Sequence, residues 1–180
     1  MREDPSRGPV LLTIARSAIE LDEMPAPRAW EHEWLRALGA SFVTLKIEGE
    51  LRGCIGSIHA HRPLGDDVAH NARAAAYRDP RFPPVSPWEI PQLAVEVSVL
   101  SAREPLHAPS EAEVIAQLRP GIDGVYFQFR DQTATFLPQV WDGLPEPLDF
   151  LGELRRKAGL PVRFWHPDVR VSRYTVEKYT

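Results

Sequence analysis

An α+β fold, a largely antiparallel sheet flanked by helices, is the class this sequence predicts, and three observations predict it. Strand-like and helix-like segments come in mixed blocks, hairpins outnumber strand-helix-strand crossovers, and 18 prolines impose many sharp corners. With 180 residues the chain fits a single domain over 1–180, or two small lobes sharing one core with a cleft between them. That length buries about two-thirds of the unfolded surface.

The elements follow in order. Leu11, Ala15, Ala18 and Ile19 recur at helical spacing and predict an amphipathic helix over 10–23, stopped by Met24-Pro25-Ala26-Pro27. A second short helix is expected over 30–38, with Trp30 and Trp34 on one face and Gly39 as the closing residue. Phe42-Val43-Thr44-Leu45-Lys46-Ile47 reads as a strand, Glu48-Gly49-Glu50 as a turn, and 51–58 as the returning strand. After Pro63 a helix over 64–78 carries Asp66 and Asp67 in its first turn and Arg73 and Arg78 later, which suits the helix dipole. Its alanines (Ala69, Ala72, Ala74, Ala75, Ala76) give a thin surface on which a sheet can pack closely.

Asp79-Pro80-Arg81-Phe82-Pro83-Pro84 breaks that helix and predicts an extended elbow ordered by its contacts. A strand over 93–100, a short helix over 111–118, a turn at Gly121-Ile122-Asp123-Gly124 and a strand over 125–129 come next. Asp131-Gln132 turns the chain into a strand over 133–137 that ends at Pro138. A helix over 148–158 closed by Gly159 and a last strand over 169–176 complete the chain.

Composition narrows the function classes. One cysteine cannot form an internal disulfide, so the fold must stand on packing, and a reducing cytoplasm suits it. The first residues lack the apolar run of a signal peptide, and no stretch approaches the roughly 18 apolar residues of a membrane span. A soluble cytoplasmic protein is expected. A net charge of −4 gives no general pull toward nucleic acid, and Arg155-Arg156-Lys157 reads as a solvated helix end.

The candidate chemistry gathers around the single cysteine, in Leu51-Arg52-Gly53-Cys54-Ile55-Gly56-Ser57. Glycines on both sides remove side chains that would wall the thiol in. In a regular strand Arg52 and Cys54 share a face, so Arg52 would favour the thiolate. His59 and His61 lie on the opposite parity, and a bulge at Gly56 would bring them round to act as bases. The spacing of Cys54, His59, His61 and His70 matches no zinc signature, so neither metal nor cofactor is expected. Arg81 in the elbow could meet an anionic ligand while Phe82 anchors the loop. Asp123 reads as a turn former, and Gln139 and Trp141 offer amide and indole groups at a strand end.

Taken together, Phe42-Val43-Thr44-Leu45, the cysteine heptapeptide, the Asp79 elbow, Glu96-Val97-Ser98-Val99-Leu100-Ser101, the Gly121 turn and Thr135-Phe136-Leu137-Pro138-Gln139-Val140-Trp141 resemble the AMMECR domain family. Its bacterial and archaeal members include proteins described as AmmeMemoRadiSam system protein A. The resemblance implies an α+β fold with antiparallel sheet and two lobes, a cytoplasmic setting, and partnership with a Memo-type protein and a radical-SAM protein. It implies no established reaction. The family's motif positions fall on Arg52, Gly53, Cys54, Gly56, Ser57, Asp79, Pro80, Arg81, Phe82, Asp123, Gly124, Gln139 and Trp141. Two readings stand side by side. One is a ligand- or partner-binding module built on these residues; the other is an enzyme with Cys54 as nucleophile on an anionic small substrate.

Overall fold

The computed structural model describes residues 4–21, 31–107 and 110–180. Along the chain run α1 (Arg7–Glu20), α2 (Glu33–Arg36), β1 (Leu38–Ile47), β2 (Glu50–Gly56), β3 (Arg62–Pro63), α3 (Leu64–Tyr77) and β4 (Ala94–Leu100). They are followed by β5 (Glu104–Pro105), α4 (Glu111–Gln117), β6 (Gly124–Phe129), β7 (Gln132–Phe136), α5 (Pro147–Lys157), β8 (Arg170–Tyr174) and β9 (Val176–Tyr179). Two compact units result: Met1–Leu100 with Glu177–Thr180, and Ser101–Val176. The α+β class holds, with antiparallel pairing of β1 to β2, β3 and β4 and of β6 to β7 and β8.

In the first unit the strand order is β2-β1-β4-β9, with β3 pairing β1. Helix α1 starts earlier than its apolar pattern suggests, because Pro9 sits in the first turn, where a backbone N–H has no helical partner to lose. It buries Leu11, Ile14, Ala15, Ala18 and Ile19, a stripe spaced by three and four. The expected stop at residues 24–27, and Trp30, lie outside the described residues. Helix α2 is shorter than expected because Leu38 and Gly39 are drawn into β1, opposite Pro63 and Arg62. Gly39 is thus a strand residue and not a helix cap. A Cβ there would sit 2.8 Å from the Leu64 side chain, which accounts for the glycine.

The hairpin joining β1 to β2 turns on Glu48 and Gly49, both at positive φ (51° and 85°), the requirement of a type I′ turn. Helix α3 lies on β1, β2 and α1. Its alanine face does what its thinness predicts: Ala69, Ala72, Ala75 and Ala76 are buried among Val43, Leu45, Val95 and Val97.

The second unit carries the sheet β5-β8-β6-β7. The last predicted strand is two strands, with β8 in this sheet and β9 in the other. Phe127, Phe150, Leu151, Leu154 and Val171 form its core, so each unit has a hydrophobic cluster of its own. The basic run at 155–157 is not wholly solvated. Arg155 falls in helical phase with Leu151 and Leu154 on the buried stripe of α5, and its guanidinium ion-pairs with Glu111.

Candidate functional site

Strand β2 lies at the edge of the first sheet, so its outward N–H and C=O groups need partners from elsewhere. At Cys54 the Asp79 elbow supplies both. The Cys54 N–H donates to Asp79 Oδ2 (2.9 Å), and Arg81 Nη2 donates to the Cys54 carbonyl (3.2 Å). Asp79 and Arg81 in turn hold each other: Nε and Nη2 of Arg81 donate to the two carboxylate oxygens at 3.0 and 2.7 Å, and the Arg81 N–H adds a third bond at 3.1 Å. The Asp79 side chain is only 2% exposed. Arg81's hydrogen bonds, helped by the Cys54 N–H, hold its carboxyl well below the usual range against the opposing effect of burial. With Asp79 as acceptor and Arg81 as donor, the elbow therefore stands in for a neighbouring strand at Cys54.

Arg52 is placed differently from a regular strand residue. Leu45 pairs with Gly53 but Lys46 pairs with Leu51, so Arg52 is the extra residue of a β-bulge. Its guanidinium forks onto Glu89, with Nε to Oε1 at 2.8 Å and Nη2 to Oε2 at 3.2 Å, and Nη1 donates to the Pro83 carbonyl at 2.9 Å. Glu89 also accepts from the N–H (2.8 Å) and hydroxyl (2.6 Å) of Ser86. Arg52 foremost, then Ser86, pulls its carboxyl down to about 2. Arg52 thus ties the strand to the 83–89 loop, where the sequence had pointed it at the thiol.

The thiol itself is half-buried. Cys54 pairs with Thr44 across the ladder, and Sγ lies 3.3 Å from Thr44 Oγ1. Thr44 pairs on its other side with Glu96, which binds Lys46 (3.5 Å) and Lys178 (3.0 Å). A polar row of thiol, hydroxyl and carboxylate therefore crosses the sheet face opposite α3.

The two glycines serve close packing. A Cβ on Gly53 would stand 2.1 Å from the Ala75 carbonyl oxygen of α3, and one on Gly56 would enter the Phe42 ring at 2.2 Å. Neither clears a path to the thiol, as the sequence had suggested. The bulge at Gly56 that would bring the histidines round does not form: Gly56 opposite Phe42 and Ile55 opposite Val43 keep regular register, and β2 ends there. His59 and His61 lie in the following loop, with His61 Nδ1 2.8 Å from the His59 carbonyl and Nε2 against the Arg62 guanidinium. Among the described residues, no three His, Cys, Asp or Glu side chains come together as metal ligands would.

Ser57 ends the motif on a buried polar cluster. Its hydroxyl donates to Asp67 Oδ1 (2.7 Å), while the Ser41 N–H (2.8 Å), Ser41 hydroxyl (2.7 Å) and Asn71 amide (3.0 Å) donate to Oδ2. Asp67 is fully buried and its oxygens are well satisfied. Sequence reasoning missed this cluster and Glu89. The signals were present: Asp67 and Asn71 are polar residues four apart on an alanine face, and Ser86-x-x-Glu89 is a capping box.

Asp123, Gln139 and Trp141 belong to the second unit. The Asp123 carboxylate, fully buried, accepts from the Arg119 N–H (2.8 Å) and from its Nε and Nη2 (3.0 and 2.6 Å). Trp141 donates its indole N–H to the Asp123 carbonyl (2.7 Å) and stacks on Phe150 at 3.7 Å between ring centroids. Gln139 is exposed. Asp123 and Trp141 hold a turn and a core.

Comparison with known proteins agrees with this architecture. The chain is 37% identical to a protein of Methanothermobacter thermautotrophicus, over 94% of this chain and 92% of that protein. It is 38% identical to one of Thermotoga maritima, over 82% and 80%. The crystal structure of an uncharacterised protein from Pyrococcus horikoshii superposes with a TM-score of 0.81 at 34% identity, covering 95% of this chain and 89% of that one. Among the described residues no helix is long and apolar enough to cross a membrane. A family model described as AMMECR1 matches residues 12–179, and the chain belongs to that family.

Proposed function

We propose that this protein is a partner-binding module whose recognition element is the braced edge formed by β2 and the 79–89 loop. One observation carries the reading. Arg52 and Arg81, the two cations a thiolate mechanism would draw on, are bound to Glu89 and Asp79 and serve to hold the loop against the strand. What that scaffold presents is an anchor: Trp88, next in sequence to Glu89, is 75% exposed, and Leu51, next to Arg52, is 40% exposed. A large aromatic on a rigid support is the residue type that dominates protein interfaces. The resemblance to proteins described as AmmeMemoRadiSam system protein A supports the class of partner we propose, a Memo-type protein and a radical-SAM protein. The site residues Cys54, Gly53, Gly56, Ser57 and Asp79 then shape the support, and Arg81, 53% exposed at its side chain, lies on the presented surface.

The test is capture of a purified Memo-type or radical-SAM protein from the same organism by the full chain. Trp88→Ala should weaken capture at least tenfold, as loss of an interface anchor of about 2 kcal/mol does, with the fold unchanged. Equal capture by wild type and Trp88→Ala would refute the placement of the surface. Turnover by the wild type that disappears in Cys54→Ser would favour the cysteine enzyme instead.

A further inference from the structure

The outer face of the second unit's sheet holds a cavity of 610 Å³ that the reading above leaves unused. Its floor follows from strand parity. Val125, Phe127, Phe129 and Val171 point into the core, so Tyr126, Gln128, Arg170 and Ser172 occupy the other face, with Tyr126 opposite Ser172 and Gln128 opposite Arg170. Arg103 and His107, flanking β5, line the same space.

Three features of this lining point to one kind of ligand. The charge is one-sided: Arg103 and Arg170 line the cavity with the His107 imidazole beside them, and among the described residues no carboxylate does. The Arg103 guanidinium lies over the Tyr126 ring, 4.2 Å from its centroid, which builds a flat platform of cation on aromatic. Arg170 is exposed, and its guanidinium has no hydrogen-bond or ion-pair partner among the described residues. Its neighbour on the same strand shows the contrast, since Arg173 is engaged by Glu104 at 3.0 and 2.9 Å and by the Gln117 carbonyl at 2.8 Å. A cation left unpaired on a concave, cation-lined face is a fork for a phosphate or carboxylate. The volume lies within the ~300–1,000 Å³ of small-molecule sites.

We infer that this cavity binds a planar aromatic anion, a flat ring resting on the Arg103–Tyr126 platform with its phosphate or carboxylate on Arg170 and His107. The proposal is independent of the partner surface, which uses other residues in the other unit. A purine nucleoside monophosphate carries both features, as does an aromatic carboxylate, and the two are separated by experiment.

Isothermal titration of the full chain with adenosine monophosphate, benzoate and inorganic phosphate tests it. Saturable binding of adenosine monophosphate or benzoate is expected, at least tenfold tighter than inorganic phosphate, and whichever of the two binds tighter identifies the ring and anion. Arg170→Ala should weaken it about tenfold or more, as loss of a charge-assisted contact does. Arg103→Ala should weaken the ring-bearing ligand while leaving inorganic phosphate nearly unchanged. Arg163→Ala, an exposed cation outside the cavity lining, should bind as wild type. No saturable binding at millimolar ligand, equal affinity for inorganic phosphate and the ring-bearing ligands, or undiminished binding by Arg170→Ala would each overturn the proposal.

Discussion

Replacing Asp79 with asparagine isolates the contact on which the cysteine strand depends. The carboxylate accepts four hydrogen bonds, from the Cys54 N–H and from the backbone N–H, Nε and Nη2 of Arg81, at 2.7 to 3.1 Å. Asparagine keeps one oxygen but turns an NH₂ toward the guanidinium and removes the charge. Hydrogen bonds to charged groups contribute about 1.5–3 kcal/mol each, yet Arg81 is 53% exposed at its side chain, so water recovers part of what it loses. The net loss works out at about 1.5–3 kcal/mol, roughly the value of one charged hydrogen bond. For a chain of this size that lowers Tm by roughly 3–12 °C. Urea denaturation followed by tryptophan fluorescence measures it. A double-mutant cycle with Arg81→Met should give a coupling of about 1–2 kcal/mol, because each change removes the same pair. An Asp79→Asn protein within about 0.5 kcal/mol of wild type would refute the idea that this carboxylate holds the strand edge.

Other changes probe the same frame. Gly53→Ala should destabilise by about 1–3 kcal/mol in urea denaturation, because the new methyl meets the Ala75 carbonyl at 2.1 Å and backbone cannot swing aside. Glu48→Asn should raise stability by about 0.5–1 kcal/mol, since Glu48 sits at φ 51° in the hairpin turn and asparagine tolerates that region. Acid should weaken the first unit in a defined window. Glu89 titrates lower in the folded state, so its stabilisation is complete above the ordinary value of 4.5 and is lost as pH falls from there to about 2. Glu89→Gln should flatten that part of the stability-pH profile, and an unchanged profile would contradict the Arg52 contact.

Much of the fold was legible because local signals and tertiary needs agree. Glu48-Gly49 dictates its hairpin, the alanine face of α3 dictates close packing, and the proline elbow breaks the helix where expected. What was not legible depends on partners distant in sequence. The bulge at Arg52 is a cross-strand register event, invisible to parity counted along one strand. Burial of Arg155 follows from helix phase together with Glu111 on α4, whereas three consecutive cations read locally as a solvated end. Gly53 and Gly56 read locally as glycines around a thiol, but what they accommodate, the Ala75 carbonyl and the Phe42 ring, lies on other elements. Arg52, Cys54, Asp79 and Arg81 lie together on β2 and the elbow. Their internal pairing was missed because Glu89 lies 37 residues from Arg52.

The most direct test of the binding reading is the dissociation constant of the proposed partner, a Memo-type or radical-SAM protein, measured for wild type and for Cys54→Ser. Serine keeps the small polar group 3.3 Å from the Thr44 hydroxyl and leaves the backbone bonds to Asp79 and Arg81 in place. The binding reading predicts affinities equal within about twofold, a difference of about 0.4 kcal/mol. Loss of binding in Cys54→Ser, or a covalent adduct on the thiol formed during capture, would contradict it.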